Sequence, residues 1–215
     1  MKKKSVLGRI LIAACVGFAI LFSAAAVGYI LFTGPHDLDR YPDPAASPYL
    51  LPWPGGVTWL CIQSNRGVVS HRGREEFAYD FKMPEGSPVV AARAGKVIRV
   101  EESRDGHGYR WPNNYVVLDH GDGTTGHYLH IRKNGALVDV GDTVAQGDVI
   151  AESGHVGNSS MPHLHFHVSN DKNATVPVSF RDVARDRGVP RMFHSYTSGN
   201  RPQAPATSAD SAPAP

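Results

Sequence analysis

The segment Met161-Pro162-His163-Leu164-His165-Phe166-His167-Val168 admits few conformations. Polar and apolar residues alternate in it with a period of two, which is the period of a strand and not the 3.6 of a helix. As a strand it turns Leu164, Phe166 and Val168 into a core and sets His163, His165 and His167 on the opposite face, at steps of about 7 Å. Three imidazoles on one face of a core strand are hard to explain as packing. Neutral imidazole is the commonest metal ligand among side chains, so this face reads as part of a metal site.

The surrounding sequence has the same short-period character. Val57–Leu60, Phe77–Phe81, Pro88–Ala91, Lys96–Val100, Tyr115–Asp119, Thr125–His130, Val149–Ala151 and Leu164–Val168 are β-branched or aromatic runs. Between them stand Pro84-Glu85-Gly86, Asp105-Gly106, Asp122-Gly123, Gly141-Asp142 and Gly147-Asp148, residues suited to tight reversals. The pattern predicts an all-β domain of antiparallel sheet or sandwich type over residues 57–185, with one short helix at 181–188.

Two other segments differ in kind. Ile10–Phe32 contains 23 residues without a charge, enough for a helix of about 34 Å that crosses a bilayer. Lys2, Lys3, Lys4 and Arg9 precede it, which predicts a cytoplasmic N-terminus and an exported remainder, with residues 1–33 as a single-pass anchor in the inner (cytoplasmic) membrane. The competing reading is a cleaved signal peptide with its small-residue site at Ala24-Ala25-Ala26. Residues 34–56, rich in proline, read as a semi-extended linker. Residues 186–215 read as a disordered tail, because from Ser195 onward they offer almost no large apolar side chains.

The four basic residues at the start outweigh the chain's net charge of +2, leaving about −2 for everything that follows. A nucleic-acid partner is therefore not expected. Cys15 lies in the apolar segment and Cys61 near the start of the domain, so no disulfide joins them.

A catalytic zinc takes three protein ligands and leaves one position open. The histidine strand can give one or two, and upstream lie His71 and, nine positions on, Asp80 between Tyr79 and Phe81. If those aromatic residues face the core, the Asp80 carboxylate faces the other way, where a neighbouring cation must offset the cost of its burial. An ion pair with Arg72 or Arg74 would meet the same need.

Several blocks in order resemble the lysostaphin-type, or M23, family of peptidoglycan metalloendopeptidases. They are the His71 to Asp80 segment, Glu85–Ala92, Ala94–Val97, Asn114–Gly121, Tyr128-Leu129-His130, Val140–Val144, Gly147–Ile150 and Pro162–Phe166, and together they cover roughly residues 58–170. The resemblance implies the duplicated, barrel-sandwich-like fold of that family. It also implies one Zn²⁺ per chain on His71, Asp80 and His165, with His163 and His130 as catalytic residues. The expected activity is hydrolysis of stem or cross-link peptides of peptidoglycan, with zinc-bound water as nucleophile; it specifies no regulatory protein partner. A different class of function, a non-catalytic envelope protein that binds wall peptides or activates another hydrolase, would show lost ligands, and none is lost. Two departures stand out. Eight residues separate His71 from Asp80 where the family commonly has three, which leaves Glu75 and Glu76 as further candidate ligands. His167 stands where Glu or Gln is usual.

Overall fold

A computed structural model describes residues 2–32, 37–67 and 69–202. Helix α1, Lys2–Phe32, contains the apolar stretch Gly8–Gly28, the one helix among the described residues whose length and composition suit a membrane span or a signal sequence. Its large apolar side chains, including Ile12, Phe18 and Leu21, face outward along the helix.

Apart from short 3-10 turns, the remaining described elements are strands, all paired antiparallel. They are β1 (Thr58–Gln63), β2 (Tyr79–Lys82), β3 (Pro88–Val90), β4 (Gly95–Glu101), β5 (Tyr115–Asp119), β6 (Thr125–Leu129), β7 (Ile131–Ala136), β8 (Thr143–Val144), β9 (Val149–Ser153), β10 (His163–Ser169) and β11 (Ser195–Thr197). An eight-stranded sheet runs β11-β1-β2-β10-β6-β5-β4-β8, and a three-stranded sheet runs β3-β9-β7. The all-β reading of the sequence is therefore correct.

The turn between β5 and β6 shows how local chemistry sets this order. Gly121 and Gly123 take positive φ values, and the Asp122 carboxylate accepts hydrogen bonds from the amide and hydroxyl of Thr124. That closes a tight reversal, so β5 and β6 pair in register from Tyr115↔Leu129 to Asp119↔Thr125.

The central strand, β10, is buried along its whole length. Its apolar face, Leu164, Phe166 and Val168, packs with Tyr79, Phe81, Tyr128 and Phe180 into one core. The Phe166 ring lies 5.1 Å from Tyr128 and 5.8 Å from Phe180 between centroids. Burial of such a set of aromatic side chains is the main stabilising contribution, at roughly 25 cal/mol per Å² of apolar surface.

Three readings of the sequence need correction. The linker assigned to residues 34–56 is, from Tyr41 on, part of the core: Tyr41, Tyr49, Leu51 and Trp53 are buried. A proline-rich segment cannot join a ladder, but its aromatic side chains still bury. The Trp53 ring packs 4.8 Å from Phe81 while its Nε1–H donates to the Val57 carbonyl at 2.9 Å. The tail assigned to residues 186–215 is ordered through Pro202. β11 pairs with β1, Tyr196 is buried, and the Asn200 amide donates to the carbonyls of Leu51 and Ala91 at 3.0 Å each. Residues 203–215, like 33–36, lie outside the described residues. The expected helix at 181–188 is a series of turns ending in a single 3-10 turn at Asp186–Gly188, in which Arg187 has a φ of 52°.

Two strands escaped the sequence pattern as well. β7 contains Lys133-Asn134-Gly135, which reads as a turn; the register against β9 breaks there, and Asn134 has a φ of 54°. β8 is two residues long.

Because Trp53 is fully buried against the large sheet, Trp53→Ala is expected to lower the unfolding free energy by about 3–5 kcal/mol. Urea denaturation of the full chain, followed by far-UV circular dichroism, measures this; a loss under about 1 kcal/mol would mean that the segment is only a spacer.

Candidate metal centre

Register brings the chemical residues together. β2 pairs with β10 so that Asp80 lies opposite His165, and β10 pairs with β6 so that His167 lies opposite His127. With Tyr79, Phe81, Leu164 and Phe166 on the core side, Asp80, His163, His165 and His167 share the other face. His130 follows directly on β6, with a φ of 64° that turns the chain into β7.

Asp80 Oδ1 is the focus. It lies 2.8 Å from His165 Nδ1, 3.2 Å from His71 Nε2 and 3.6 Å from His163 Nε2. Asp80 Oδ2 accepts a hydrogen bond from Gln63 Nε2 at 3.0 Å, and the same nitrogen lies 2.7 Å from Ser70 Oγ. The partners of the buried carboxylate are thus imidazoles and an amide. Glu76, in contrast, points away to Arg40 and Arg66 at 3.1 and 3.3 Å, which removes it from the site.

Backbone carbonyls fix how the rings present themselves. His71 Nδ1 donates to the Ser64 carbonyl at 2.9 Å, His130 Nδ1 to the Val156 carbonyl at 2.9 Å, and His163 Nδ1 to the Met161 carbonyl at 2.8 Å. Each neutral ring therefore carries its proton on Nδ1 and turns a lone pair on Nε2 inward. His71 Nε2 is fully buried and has no hydrogen-bond partner, a costly arrangement unless a cation or proton occupies the space before it.

Ligand atoms of His71, Asp80 and His165 lie within 4.8 Å of one another, and all three residues are buried. Two imidazole nitrogens and one carboxylate oxygen form a donor set suited to a borderline divalent ion, zinc above all. A second group, Glu75, His165 and His167, meets the same distance test. These are the two such groups among the described residues.

The charges respond to this crowding. Burial works against an ionised Asp80, yet His71 and His165 hold its carboxyl well below the usual range. Burial also opposes a charge on His165, but the bond to Asp80 and the Glu75 carboxylate raise its pKa to about 9. For the other imidazoles burial prevails: His130 falls to about 3, His127 to about 4, His163 is lowered and His167 is well below its ordinary value.

Asp80, His130, His163 and His165 line an open groove of about 680 Å³ together with Val69, Ser70, Tyr109, Asn113 and Met161, while His71 lies buried behind them. Two loops that line the groove are joined to each other. The Asn158 amide donates to Asn113 Oδ1 at 2.9 Å, and Gly157, at a φ of +105°, passes so close that a Cβ there would lie 1.9 Å from that oxygen.

The structure brings His71, Asp80, His130, His163 and His165 into this one site. His167 adjoins the cluster through a 3.1 Å contact with His165 Nε2, and its ring stacks on His127 at 4.4 Å. His120 lies elsewhere, bonded to the Ala94 carbonyl, and His107 stacks on His155 at 3.7 Å; His36 falls outside the described residues. Gln63 and the carbonyls of Ser64, Val156 and Met161 were not legible as site members. A carbonyl has no residue signature, and Gln63 reads simply as the end of a strand.

An all-β domain with a buried His/Asp cluster beside an open groove defines a class: a β-fold protein with a candidate metal site reachable from solvent. Residues 74–177 match the model of peptidase family M23, and the chain belongs to that family. Asp80, His130, His163 and His165 fall within the match, and His71 lies just ahead of it. The chain is 33% identical over 140 residues to an uncharacterized metalloprotease of Haemophilus influenzae (65% of this chain, 26% of that protein). It is 40% identical over 101 residues to the peptidoglycan DD-endopeptidase ShyB of Vibrio cholerae (47% and 21%), and 37% identical over 106 residues to lysostaphin of Staphylococcus simulans (48% and 20%). The chain thus spans about a quarter or less of the length of these relatives.

The shifted groups predict how stability without metal depends on pH. His127, His130, His163 and His167 have folded pKa values below the unfolded value of about 6.5, so their contribution is complete above that pH and is lost as pH falls toward about 4. His165, raised to about 9, contributes fully below about 6.5 and less as pH rises through 9. Urea midpoints of the chelator-treated chain should therefore peak near neutral pH, with the steeper fall on the acid side. His127→Gln should flatten that acid limb, by up to about 1.4 kcal/mol per pH unit; an acid limb no steeper than the alkaline one would contradict the assignment.

Proposed function

We propose that this chain is a zinc-dependent endopeptidase that hydrolyses peptide bonds in bacterial peptidoglycan. The observation that carries the reading is the convergence of His71 Nε2, His165 Nδ1 and Asp80 Oδ1, with Asp80 and His165 lining a groove open to a polymeric substrate. Membership of the M23 family and likeness to a peptidoglycan DD-endopeptidase support the substrate class.

In this reading His71, Asp80 and His165 hold one zinc ion per chain. The bound ion would polarise the scissile carbonyl and lower the pKa of a water molecule toward about 7. The remaining proton transfers belong to side chains. His163 is neutral at pH 7 because burial lowers its pKa, and its Nε2 lone pair faces the cluster, so it is placed to take the proton of the attacking water. The same proton then passes to the nitrogen of the departing amine. His130 has the same tautomer, with its ring centroid 4.5 Å from that of His163. It too offers a lone pair, so it hydrogen-bonds a developing oxyanion only after gaining a proton. Its own burial, and then positive charge on the neighbouring imidazoles, oppose that gain, and we assign neutral His130 as a hydrogen-bond acceptor that orients the attacking water through Nε2 and not as an oxyanion donor.

In this reading the activity works at the extracytoplasmic face of the inner membrane, with α1 tethering the domain beside the wall. A basic N-terminus ahead of the apolar stretch supports that orientation.

The test is the full chain in detergent micelles acting on purified peptidoglycan, with released fragments identified by mass spectrometry. Cleavage should stop with chelator and return with zinc. His165→Ala should lose both the metal and the activity, whereas His163→Ala should keep the metal and lose about 10²–10⁴-fold in rate. Full activity in His165→Ala, or no fragments from the zinc-loaded chain, would end this reading.

A further inference from the structure

The long interval between His71 and Asp80 folds into a 3-10 turn at Gly73–Glu75, and that turn carries Glu75 over the histidine strand. Glu75 Oε2 lies 3.4 Å from His165 Nε2 and 3.2 Å from His167 Nδ1, and those two nitrogens lie 3.1 Å apart. Three atoms thus form a nearly equilateral triangle. The edges of a tetrahedral zinc site with ligand bonds of about 2.0–2.1 Å measure about 3.3 Å. Ordinary hydrogen bonding accounts for only one side of the triangle. The proton on His165 Nε2 can satisfy His167 Nδ1, which leaves Glu75 Oε2 buried and without a hydrogen-bond partner, although the rest of its side chain is half-exposed. A buried carboxylate oxygen facing two ring nitrogens forms a donor set that a cation at the centre would satisfy.

We propose that Glu75, His167 and the Nε2 face of His165 form a second metal site, distinct from the His71–Asp80–His165 centre but joined to it through the shared imidazole. Two nitrogens and a carboxylate select borderline divalent ions such as zinc, and disfavour Mg²⁺, which demands oxygen ligands and keeps its waters. The incoming ion replaces the proton of His165 Nε2, which leaves to solvent; with Nδ1 committed to the first ion, the ring becomes a bridging imidazolate. Its negative charge offsets the repulsion between two cations on either side. The two side chains belonging to this site alone are independent of the first: Glu75 comes from the inserted turn, and His167 is held by stacking on His127, whose Nε2 is engaged with Thr125 Oγ1 at 2.9 Å. Glu75 also lines the groove, so an ion here would have access from solvent.

The experiment is a count of bound metal and does not depend on hydrolysis. Tag-free full chain in detergent micelles is stripped with chelator, dialysed to equilibrium against graded free zinc at pH 7.5, and analysed by plasma mass spectrometry. The wild type should reach two zinc ions per chain, the second at higher free zinc, and equilibration with Mg²⁺ alone should add none. Glu75→Gln and His167→Gln should each stop at one. The Glu75 side chain as a whole is half-exposed, so its variant keeps the fold and serves if His167→Gln does not. Saturation of the wild type at a single ion, or a second ion that persists in Glu75→Gln, overturns the site. Loss of peptidoglycan cleavage would overturn the proposed activity while leaving this count unaffected.

Discussion

A carboxylate buried among imidazoles is the constraint on which the rest of the domain depends. Asp80 is at home in the interior only because cationic or hydrogen-bonding partners surround it, and those partners are delivered by the pairing of β2 with β10. Side chains alternate across a sheet, so a slip of one residue on β10 would send all three histidines into the aromatic core and Leu164 and Phe166 into the groove. The core therefore fixes the site by fixing the register. Tyr79, Phe81, Leu164 and Phe166 are as necessary to the metal centre as its ligands, although none of them touches the groove.

Orientation comes from a different source than position. Strands set where the rings lie, but loop carbonyls decide which nitrogen each ring presents, through Ser64 for His71, Val156 for His130 and Met161 for His163. Two of those carbonyls belong to the segment between β9 and β10, which is itself bound to the loop bearing Asn113 through Gly157 and Asn158. On the other side, Gln63 reaches both Asp80 and Ser70, so its amide links the carboxylate to the chain just before His71.

The division between what was legible in the sequence and what was not follows from these two sources. Alternation in His163–Val168 and the aromatic residues flanking Asp80 carry the strand period directly, and the turn residues between strands mark the reversals; the all-β class and the gathered histidines followed from those patterns. The segment 41–56 was misread because proline predicts the absence of a ladder, and absence of a ladder is not absence of burial: Trp53 and Tyr49 pack without one. Tyr196 and Asn200 were hidden for a similar reason, since a short polar stretch gives no period, while its two useful side chains dock on distant backbone. Glu75 could be named as a candidate acid, but only its place above β10 shows that it faces His165 and His167 and not His71.

Electrostatic balance explains why this crowding is tolerated in the metal-free protein. Asp80 and Glu75 bring two negative charges to a site where His127, His130, His163 and His167 are driven toward neutrality by burial. One ring, His165, sits between both carboxylates and keeps its proton to about pH 9. That proton supplies the positive charge the surroundings require. A divalent cation on His165 does the same work more completely, and it must displace the proton to do so, so proton and metal compete for one ring. The site is accordingly polarised for a cation before any ion arrives. Its geometry needs little rearrangement on binding because strand register and three carbonyls have already set the ring positions and their free lone pairs.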